Sequence, residues 1–203
     1  MAGFKIEREL IRQGCRTLAG VDEVGRGALF GPVVATALVL PADWFLRRPP
    51  SWAGKIHDSK LLSATKRVEL AGLLLREAEA LGIGTASSAE IDDMNIYWAA
   101  QAAMKRAIEN LSVRVDCFLI DGYPLKELQY RQMGILQGDR KSVSIAAASI
   151  VAKVFRDGLM DAFDAVYDGY GLARNKGYGT EEHYRGLRAR GPTGLHRMSF
   201  KLG

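Results

Sequence analysis

The sequence predicts an α/β fold in which a mixed sheet carries helices on both faces, and three observations predict it. Residues 32–40 form a nearly continuous apolar run, which is typical of a buried strand. Residues 115–120 form a second apolar run that ends at an Asp-Gly pair. Two stretches with helical spacing of apolar residues, 64–80 and 91–110, lie between these runs. Strand and helix patterns that alternate in this way favour a sheet covered by helices.

The remaining elements of the amino-terminal half follow in chain order. Small and apolar residues over 16–22 predict a first strand, and the glycine-containing turn 25–31 joins it to the next one. Ser63 is expected to cap the helix that follows it. Residues 82–87 predict a short third strand.

The carboxyl-terminal half is predicted to be mainly helical. Residues 142–167 predict a long helix with Ser142 near its start, and the alanine run 146–148 allows close packing against the sheet. The positive end of this helix would point toward acids and phosphate. Residues 180–190 predict a short helix on a basic surface.

The length and composition allow one sizeable core. With 203 residues, 48% of them hydrophobic, and no linker-like stretch, the chain is expected to form a single domain over 1–203. Cys15 and Cys117 do not make a disulfide framework, which favours a reducing compartment. The sequence lacks a signal h-region and any apolar run near the roughly 18 to 20 residues of a membrane span. We therefore expect a soluble, cytoplasmic protein without membrane contact.

The net charge of +5 is concentrated near the carboxyl end. Residues 174–203 hold seven basic side chains against Glu181 and Glu182. The seven are Arg174, Lys176, Arg185, Arg188, Arg190, Arg197 and Lys201. Such a segment is typical of proteins that bind a polyanion, although it is also typical of a solvated helix face. The segment is therefore a candidate surface for nucleic acid.

The octapeptide 20–27, GVDEVGRG, places two carboxylates directly before a glycine-flanked arginine. The glycines allow the backbone to approach a ligand without a Cβ, and Arg26 is able to fork onto a phosphate oxygen pair. Taken alone, an Asp-Glu pair before such a turn is more typical of a solvated loop. Other segments must therefore decide between the two interpretations.

Two further segments each add an acid at the edge of a predicted element. Asp121 follows the strand 115–120, and Asp139 precedes the long helix. An Asp beside Gly often marks only a turn, so neither acid is specific by itself. Together with Asp22 and Glu23, however, four acids come from three separate segments. Four converging carboxylates repel one another unless cations neutralise them, which favours a metal site.

The available ligands indicate which metal such a site would hold. Oxygen ligands without a His or Cys cluster favour Mg²⁺ or Mn²⁺ over zinc. His57, His183 and His196 are scattered along the sequence and do not match a zinc spacing. One difficulty is geometric, because successive strand residues point to opposite faces. Asp22 and Glu23 are expected to share a site only if the strand ends or twists between them.

The chain resembles the ribonuclease HII family, the type 2 ribonucleases H, over nearly its whole length. The motifs that carry the resemblance occur in family order: DEVGRG at 22–27, DSK at 58–60, DG at 121–122, GD at 138–139, SIVAK at 149–153, KGYGT at 176–180, and HR with SF at 196–200. The resemblance implies a ribonuclease H-like mixed sheet flanked by helices, with a small helical carboxyl-terminal segment over the substrate groove. It also implies an endoribonuclease that hydrolyses the RNA strand of RNA–DNA hybrids. The same enzyme would incise duplex DNA on the 5′ side of embedded ribonucleotides, leaving 3′-hydroxyl and 5′-phosphate ends.

The resemblance also implies roles for single residues. The resemblance assigns the catalytic and metal-binding role to four acids, Asp22, Glu23, Asp121 and Asp139. They would hold two divalent ions, Mg²⁺ or Mn²⁺, for in-line phosphodiester hydrolysis. The residues that would read an RNA-to-DNA junction are Gly25, Arg26 and Gly27 at the ribose 2′-hydroxyl and Tyr178 at the following deoxyribose. The residues that would hold phosphates are Ser59, Lys60, Lys141, Ser142 and Lys153. Each of these last five is also common as an exposed lysine or a capping serine.

Two departures from the family pattern and two alternatives complete the expectations. Phe30 stands where a small residue is frequent, and Arg140 stands where alanine is frequent, so groove shape or affinity could differ. One alternative is another two-metal nuclease of the same superfold, such as a resolvase or an integrase. The other is a hybrid-binding module whose acids are structural. A monomer is expected, and recruitment by a replication clamp is left open.

Overall fold

The computed structural model describes residues 2–57, 62–126 and 128–203, and a five-stranded mixed sheet lies at its centre. The strands are β1 (Leu18–Val24), β2 (Val33–Val39), β3 (Ala80–Ala86), β4 (Cys117–Asp121) and β5 (Gln132–Ile135). Their order in the sheet is β3-β2-β1-β4-β5. The first three pair antiparallel, whereas β1 with β4 and β4 with β5 pair parallel. The mixed sheet expected from the sequence is therefore confirmed.

Helices surround this sheet. The longer ones are α1 (Lys5–Arg12), α3 (Ala64–Glu77), α4 (Ser88–Glu109), α6 (Val143–Asp164) and α8 (Glu181–Arg190). The four-residue ones are α2 (Asp43–Leu46), α5 (Gly138–Lys141) and α7 (Leu172–Asn175), and a 3₁₀ helix covers Ser51–Lys55.

The two faces of the sheet are covered by different helices. On one face, Ala99 and Ala103 of α4 pack in a buried cluster with Val21 and Ala35 of the sheet. On the other face, α6 and α3 pack against β2, and α1 packs with β4 beside α6. This arrangement confirms the expectation of helices on both faces.

Gly20 explains how closely α6 lies on β1. A Cβ added at Gly20 would stand 2.1 Å from the carbonyl oxygen of Ser144, so any side chain there would collide with the helix backbone. The glycine thus sets the distance between α6 and the strand that carries Asp22 and Glu23.

Several predicted elements are confirmed with shifted ends. Ser63 caps α3 by accepting a hydrogen bond from the Lys66 N–H. The helix α4 begins at Ser88, earlier than expected, because Ser87 and Glu90 form a capping box there. The expected long helix over 142–167 is α6, which Ser142 caps at its start and which ends at Asp164. The elements that the patterns did not reveal are α1, α2, the 3₁₀ helix, β5, α5 and α7.

Two of the compositional expectations meet the structure in part. Among the described residues, no helix has the length and apolar character needed to cross a membrane. Cys15 and Cys117 are both buried and both free thiols. That the chain forms a single domain stays a prediction.

Candidate active site

A cavity of about 350 Å³ opens where β1 and β4 end, and all four predicted acids line it. The lining residues are Asp22, Glu23, Val24, Gly25, Arg26, Gly27, Asp121, Asp139, Ser149, Lys153 and Tyr178. The structure therefore brings together side chains from three sequence segments that carry acids and from two further segments that carry Lys153 and Tyr178.

The opening arises from the register of the sheet. The pairing of β1 with β2 continues to Val24↔Val34, whereas its pairing with β4 ends at Val21↔Ile120. The strand does not end between Asp22 and Glu23, contrary to one of the two conditions set above. Both residues border the cavity because they lie beyond the last β1–β4 pair.

The first two acids are held in place by nearby donors. The Glu23 N–H donates to Asp22 Oδ1 at 2.8 Å, which folds that carboxylate back along the strand. Ser149 of α6 also hydrogen-bonds to Asp22. Arg26 Nη1 donates to Glu23 Oε1 at 3.1 Å, so the arginine of the turn covers the second acid. Asp22 is only 6% exposed, while the Arg26 side chain is 52% exposed.

These surroundings make ionisation of the two acids unfavourable. Burial raises the pKa of Asp22 well above its usual range, and the negative charges of Glu23 and Asp121 raise it further. Burial also raises the pKa of Glu23, although the pair with Arg26 acts in the opposite direction. Four carboxyl groups thus share a cavity that two cationic side chains, Arg26 and Lys153, also line.

The segment that carries Asp139 is joined to the end of β4 by a hydrogen bond. Asp121, the last residue of β4, accepts a hydrogen bond from the Gly138 N–H at 2.6 Å on its Oδ1. Gly138 begins α5, and the preceding Gln137 has a left-handed backbone with φ 55°. This turn brings the buried Asp139 to the cavity. A backbone N–H and a left-handed turn thus bring Asp121 and Asp139 to the same cavity.

The oxygen donors suit a hard divalent cation, but they do not form a closed ligand set. Within residues 2–57, 62–126 and 128–203, no three His, Cys, Asp or Glu side chains are grouped so that they could hold a metal ion. The four acids line one cavity, but their side chains are not grouped closely enough to hold a metal ion as they stand. The chemistry of the donors fits Mg²⁺ or Mn²⁺.

Tyr178 lies beside the glycine-flanked turn. A Cβ added at Gly27 would stand 3.9 Å from Tyr178 Cε1, which is ordinary van der Waals contact. Lys153 Nζ lies 5.9 Å from the centre of the Tyr178 ring. Lys153 also donates to Asp157 at 2.5 Å, and burial lowers its pKa. The turn, the tyrosine and the lysine thus form one wall of the cavity.

Two predicted phosphate contacts lie elsewhere. Ser142 is fully buried; its hydroxyl donates to Glu7 at 2.6 Å and accepts from the Ile145 N–H. Lys141 is exposed on α5, and its Nζ donates to the Leu136 carbonyl at 2.7 Å. Neither residue lines the cavity. Ser142 is placed as a helix cap, which offers no accessible hydroxyl to a phosphate.

Two other predicted phosphate contacts are Ser59 and Lys60. They fall in 58–61, outside the described residues, and their roles stay predictions.

Sequence reasoning missed Ser149 as a site residue. It lies four residues before Lys153 on α6, and this spacing places both on one face of a helix. That signal was present in the motif SIVAK but was not used.

Two of the three histidines, although their spacing in the sequence does not match a zinc site, meet in the structure. His183 and His196 are both buried, with their Nε2 atoms 3.1 Å apart. The Thr193 N–H donates to His196 Nδ1, so His196 carries its proton on Nε2 and donates to His183. His183 then donates from Nδ1 to the Tyr178 carbonyl at 3.0 Å. The pair therefore braces the loop that presents Tyr178.

The two departures from the family pattern have different settings. Phe30 is fully buried, and its ring makes edge contacts with Phe163, Tyr167 and His196. It therefore fills the core between the first turn and the carboxyl-terminal segment. Arg140 is exposed on α5.

The basic carboxyl-terminal segment is largely engaged within the protein. Four of its basic side chains form ion pairs: Arg174 with Glu182, Lys176 with Asp161, Arg188 with Glu181, and Arg190 with Asp168. Arg197 is completely buried. The exposed pairs are weak enough to exchange partners with phosphates. The surface charge offered to nucleic acid is nevertheless smaller than seven basic residues suggest.

Comparisons with known proteins agree with the geometry. The model of the family described as "Ribonuclease HII" matches residues 19–203. A ribonuclease HII from Moorella thermoacetica is 52% identical over 195 residues, which cover 96% of this chain and 91% of the relative.

Solved structures show the same fold. The ribonuclease HII in a PCNA complex from Archaeoglobus fulgidus aligns with a TM-score of 0.74 at 24% identity, covering 92% of this chain and 96% of that one. Bst-RNase HIII in complex with Mn²⁺ aligns with a TM-score of 0.66 at 19% identity, covering 92% of this chain and 67% of that one. Identities this low establish the ribonuclease H-like fold alone.

Proposed function

The chain belongs to the ribonuclease HII family, and from this premise we propose that it cuts RNA within RNA–DNA hybrids. We also propose that it incises duplex DNA on the 5′ side of embedded ribonucleotides, leaving 3′-hydroxyl and 5′-phosphate ends. The observation that carries the proposal is the cavity in which Asp22, Glu23, Asp121 and Asp139 meet the Gly25–Gly27 turn and Tyr178.

The four acids are proposed to hold two divalent cations, Mg²⁺ or Mn²⁺. When bound, such a pair of ions activates the attacking water and stabilises the departing oxygen of a phosphodiester. The burial of Asp22 and Glu23, which raises their pKa values, and the nearby carboxyl groups support this assignment, because a bound cation would stabilise the charged forms. Asp121 and Asp139 complete an all-oxygen donor set.

The cavity wall formed by the Gly25–Gly27 turn, Tyr178 and Lys153 is proposed to recognise the strand to be cut. Gly25 and Gly27 line the cavity, and backbone groups of this turn would contact the ribose, whose 2′-hydroxyl distinguishes RNA from DNA. The Tyr178 ring beside Gly27 offers a flat surface for the next sugar. Lys153 adds positive charge behind the ring. Arg26 is half exposed and is therefore able to reach the phosphate or sugar while it borders Glu23.

The setting of the enzyme belongs to the same proposal. We propose a monomer with one domain that acts in the cytoplasm, where the chromosome of its bacterial relatives lies. The relative from Archaeoglobus fulgidus was solved with PCNA. Whether a replication clamp binds this chain is a separate question for a pull-down with the clamp.

The test compares three labelled duplexes: an RNA–DNA hybrid, DNA with one ribonucleotide, and DNA alone. We expect cleavage of the first two with Mg²⁺ or Mn²⁺, no cleavage with a chelator, and ends that a polymerase extends from the 3′-hydroxyl. Cleavage of the DNA duplex would favour a resolvase-like or integrase-like nuclease. Binding without turnover at any metal concentration would favour a hybrid-binding module.

A further inference from the structure

Arg156 is a completely buried arginine on α6 that the proposed chemistry does not use. Its guanidinium donates to three backbone carbonyls that belong to two separate loops. Nε donates to Pro32 at 3.1 Å and Nη2 donates to Phe30 at 3.0 Å, at the end of the first turn. Nη1 donates to Lys176 at 2.8 Å, in the loop that carries Tyr178. One side chain therefore connects the loop after the Gly25–Gly27 turn with the loop that carries Tyr178.

The glycine-flanked turn packs directly against the Arg156 guanidinium. Gly25 has φ 94°, and a Cβ added there would stand 2.1 Å from Arg156 Nε. The glycine is thus needed both for its backbone conformation and for the close approach of the guanidinium. Beyond it, the Arg26 carbonyl accepts a hydrogen bond from Arg197 Nη1 at 2.9 Å, so a second buried arginine holds the same turn.

The tyrosine loop has an unfavourable backbone that needs support. Lys176 has φ 53°, a left-handed conformation that costs a residue with a side chain energy, and Gly177 follows with φ 81°. The hydrogen bond from Arg156 ends on the carbonyl of Lys176. The Arg156 guanidinium also lies 5.7 Å from the centre of the Tyr178 ring. Arg156 therefore fixes both the backbone before Tyr178 and the position of its ring.

The chemistry of the contact requires an arginine. A guanidinium presents five N–H donors in a rigid planar fork, whereas a lysine ammonium is a compact charge on a flexible stem. The three carbonyls here are satisfied from three different nitrogens of one plane. A lysine at this position would leave at least part of this set unpaired in the interior.

We propose that Arg156 is a positioning residue that couples the Gly25–Gly27 turn to Tyr178, so that the two read one RNA-to-DNA junction together. The inference rests on the proposed function, since it assigns Arg156 to the junction specificity of that same site. Arg156 is not among the residues that line the cavity with the acids. Its removal should therefore affect junction reading more than phosphodiester hydrolysis itself.

The test measures kcat/KM on duplex DNA with one ribonucleotide and on a long RNA–DNA hybrid, and takes their ratio. Arg156→Lys should lower this ratio about tenfold, comparable to loss of a base-stacking contact. In a Tyr178→Ala background the same change should lower the ratio by less than about twofold, because Arg156 is proposed to act through Tyr178. If the two residues acted independently, the tenfold loss would be the same in both backgrounds. An undiminished ratio in folded Arg156→Lys, or an equal loss in both backgrounds, would overturn the proposal.

Controls separate this outcome from general destabilisation. Arg106→Lys removes another guanidinium that binds a backbone carbonyl, that of Thr85, but on α4, and it should leave the ratio unchanged. Should Arg156→Lys not fold by circular dichroism, Arg156→Met carries the same expectation, because it keeps the apolar stem and removes the buried charge. If neither variant folds, Arg156 is a determinant of the whole fold and the proposal fails. If the unmodified protein does not incise the single-ribonucleotide duplex, the proposed function fails instead.

Discussion

Asp22 is buried beside other carboxylates, and its charge is therefore costly to the fold. Its pKa is raised by burial and by Glu23 and Asp121, so the folded state binds a proton more tightly than the unfolded state. The resulting penalty is present above the raised pKa and disappears as the pH falls below its usual range. A site that pays this penalty at neutral pH is typical of one that binds cations.

Replacing Asp22 should therefore not weaken the metal-free protein. Asp22→Asn keeps an oxygen that accepts from the Glu23 N–H and removes the charge, so the melting temperature with a chelator should stay the same or rise. Asp116→Asn is the matched control. Asp116 accepts from the Arg16 and Thr17 N–H groups, which lower its pKa, so removing its charge should lower the melting temperature modestly at this exposed position. A marked drop in melting temperature for Asp22→Asn would indicate a structural acid.

Tyr178 should matter more for a single ribonucleotide than for a long hybrid. Loss of a stacking contact typically costs about 1 to 3 kcal/mol, so Tyr178→Ala should lower kcat/KM on the single-ribonucleotide duplex about tenfold or more. A long hybrid offers further contacts and should suffer less. Tyr130→Ala, an exposed tyrosine outside the cavity, serves as control. Equal losses on both substrates would contradict junction reading by Tyr178.

At this scale the sequence revealed the acids but not their supports. Asp22 and Glu23 stand at the end of a predicted strand, Asp121 follows another, and Asp139 precedes the long helix. Their assignment to one site came from the family resemblance. Arg156 could not be found in the same way, because its role depends on carbonyls from two distant loops. Backbone acceptors leave no pattern in a sequence. The His183 and His196 contact depends likewise on how the carboxyl-terminal segment folds back.

At the scale of elements, the close contact of α6 with β1 fixes the site. Ser149 and Lys153 reach the cavity from α6, while Asp22 and Glu23 reach it from β1. Their distance is therefore set by the small residue at Gly20. A larger residue there would push the helix away from the strand and would also open the cavity wall.

Gly20→Ala should consequently destabilise the protein by about 2 kcal/mol or more, within the range of core overpacking. The added methyl would stand 2.1 Å from the Ser144 carbonyl. Gly158→Ala lies on the same α6, where a Cβ meets no atom within 4 Å, and should stabilise by about 0.5 to 1 kcal/mol. Urea unfolding measures both. A neutral Gly20→Ala would show that the helix is able to shift without cost.

Elements whose own sequence carries a capping residue or an apolar run could be predicted. Elements that form only because of contacts with neighbouring elements could not. Ser63 and the apolar run of β2 marked their elements correctly. The strand β5 is short, with Met133 exposed at its centre, so its sequence has little strand character. It forms because β4 offers a free parallel edge. Between α5 and α6, Ser142 leaves the helical conformation and donates to Glu7, a residue far away in the chain.

At the scale of the whole molecule, the carboxyl-terminal segment closes the fold over the first turn. Phe30 packs against His196, and the Leu29 carbonyl accepts from the Arg197 N–H. The segment is therefore more than an added basic surface. Removing it would expose the core and would remove the supports of Tyr178 at the same time.

The buried histidine pair should make stability depend on pH. Burial and the nearby His183 lower the pKa of His196 to about 4 in the folded state. The unfolded state therefore takes up a proton first as the pH falls below about 6.5, and stability should be lost between there and about pH 4. The loss attributable to His196 is on the order of 3 kcal/mol, at 1.36 kcal/mol per pKa unit.

The measurement is urea unfolding between pH 7 and pH 4.5 for the unmodified protein, His196→Gln and His57→Gln. His196→Gln should be less stable at pH 7, and its stability should fall less steeply as the pH is lowered. His57 lies outside the pair, so His57→Gln should follow the unmodified protein. Parallel curves for His196→Gln and the unmodified protein would show that the pair does not titrate on unfolding.

Acids from three separate segments are proposed to form one catalytic site, and a pair of aspartate variants distinguishes this from a structural role. Asp116 and Asp121 flank β4 at opposite ends, and only Asp121 reaches the cavity. Incision of duplex DNA with one ribonucleotide is measured at saturating Mg²⁺ or Mn²⁺ for Asp121→Asn and Asp116→Asn. We expect Asp121→Asn to bind the duplex without cutting it, while folded Asp116→Asn cuts near the normal rate. Near-normal incision by Asp121→Asn would contradict the account.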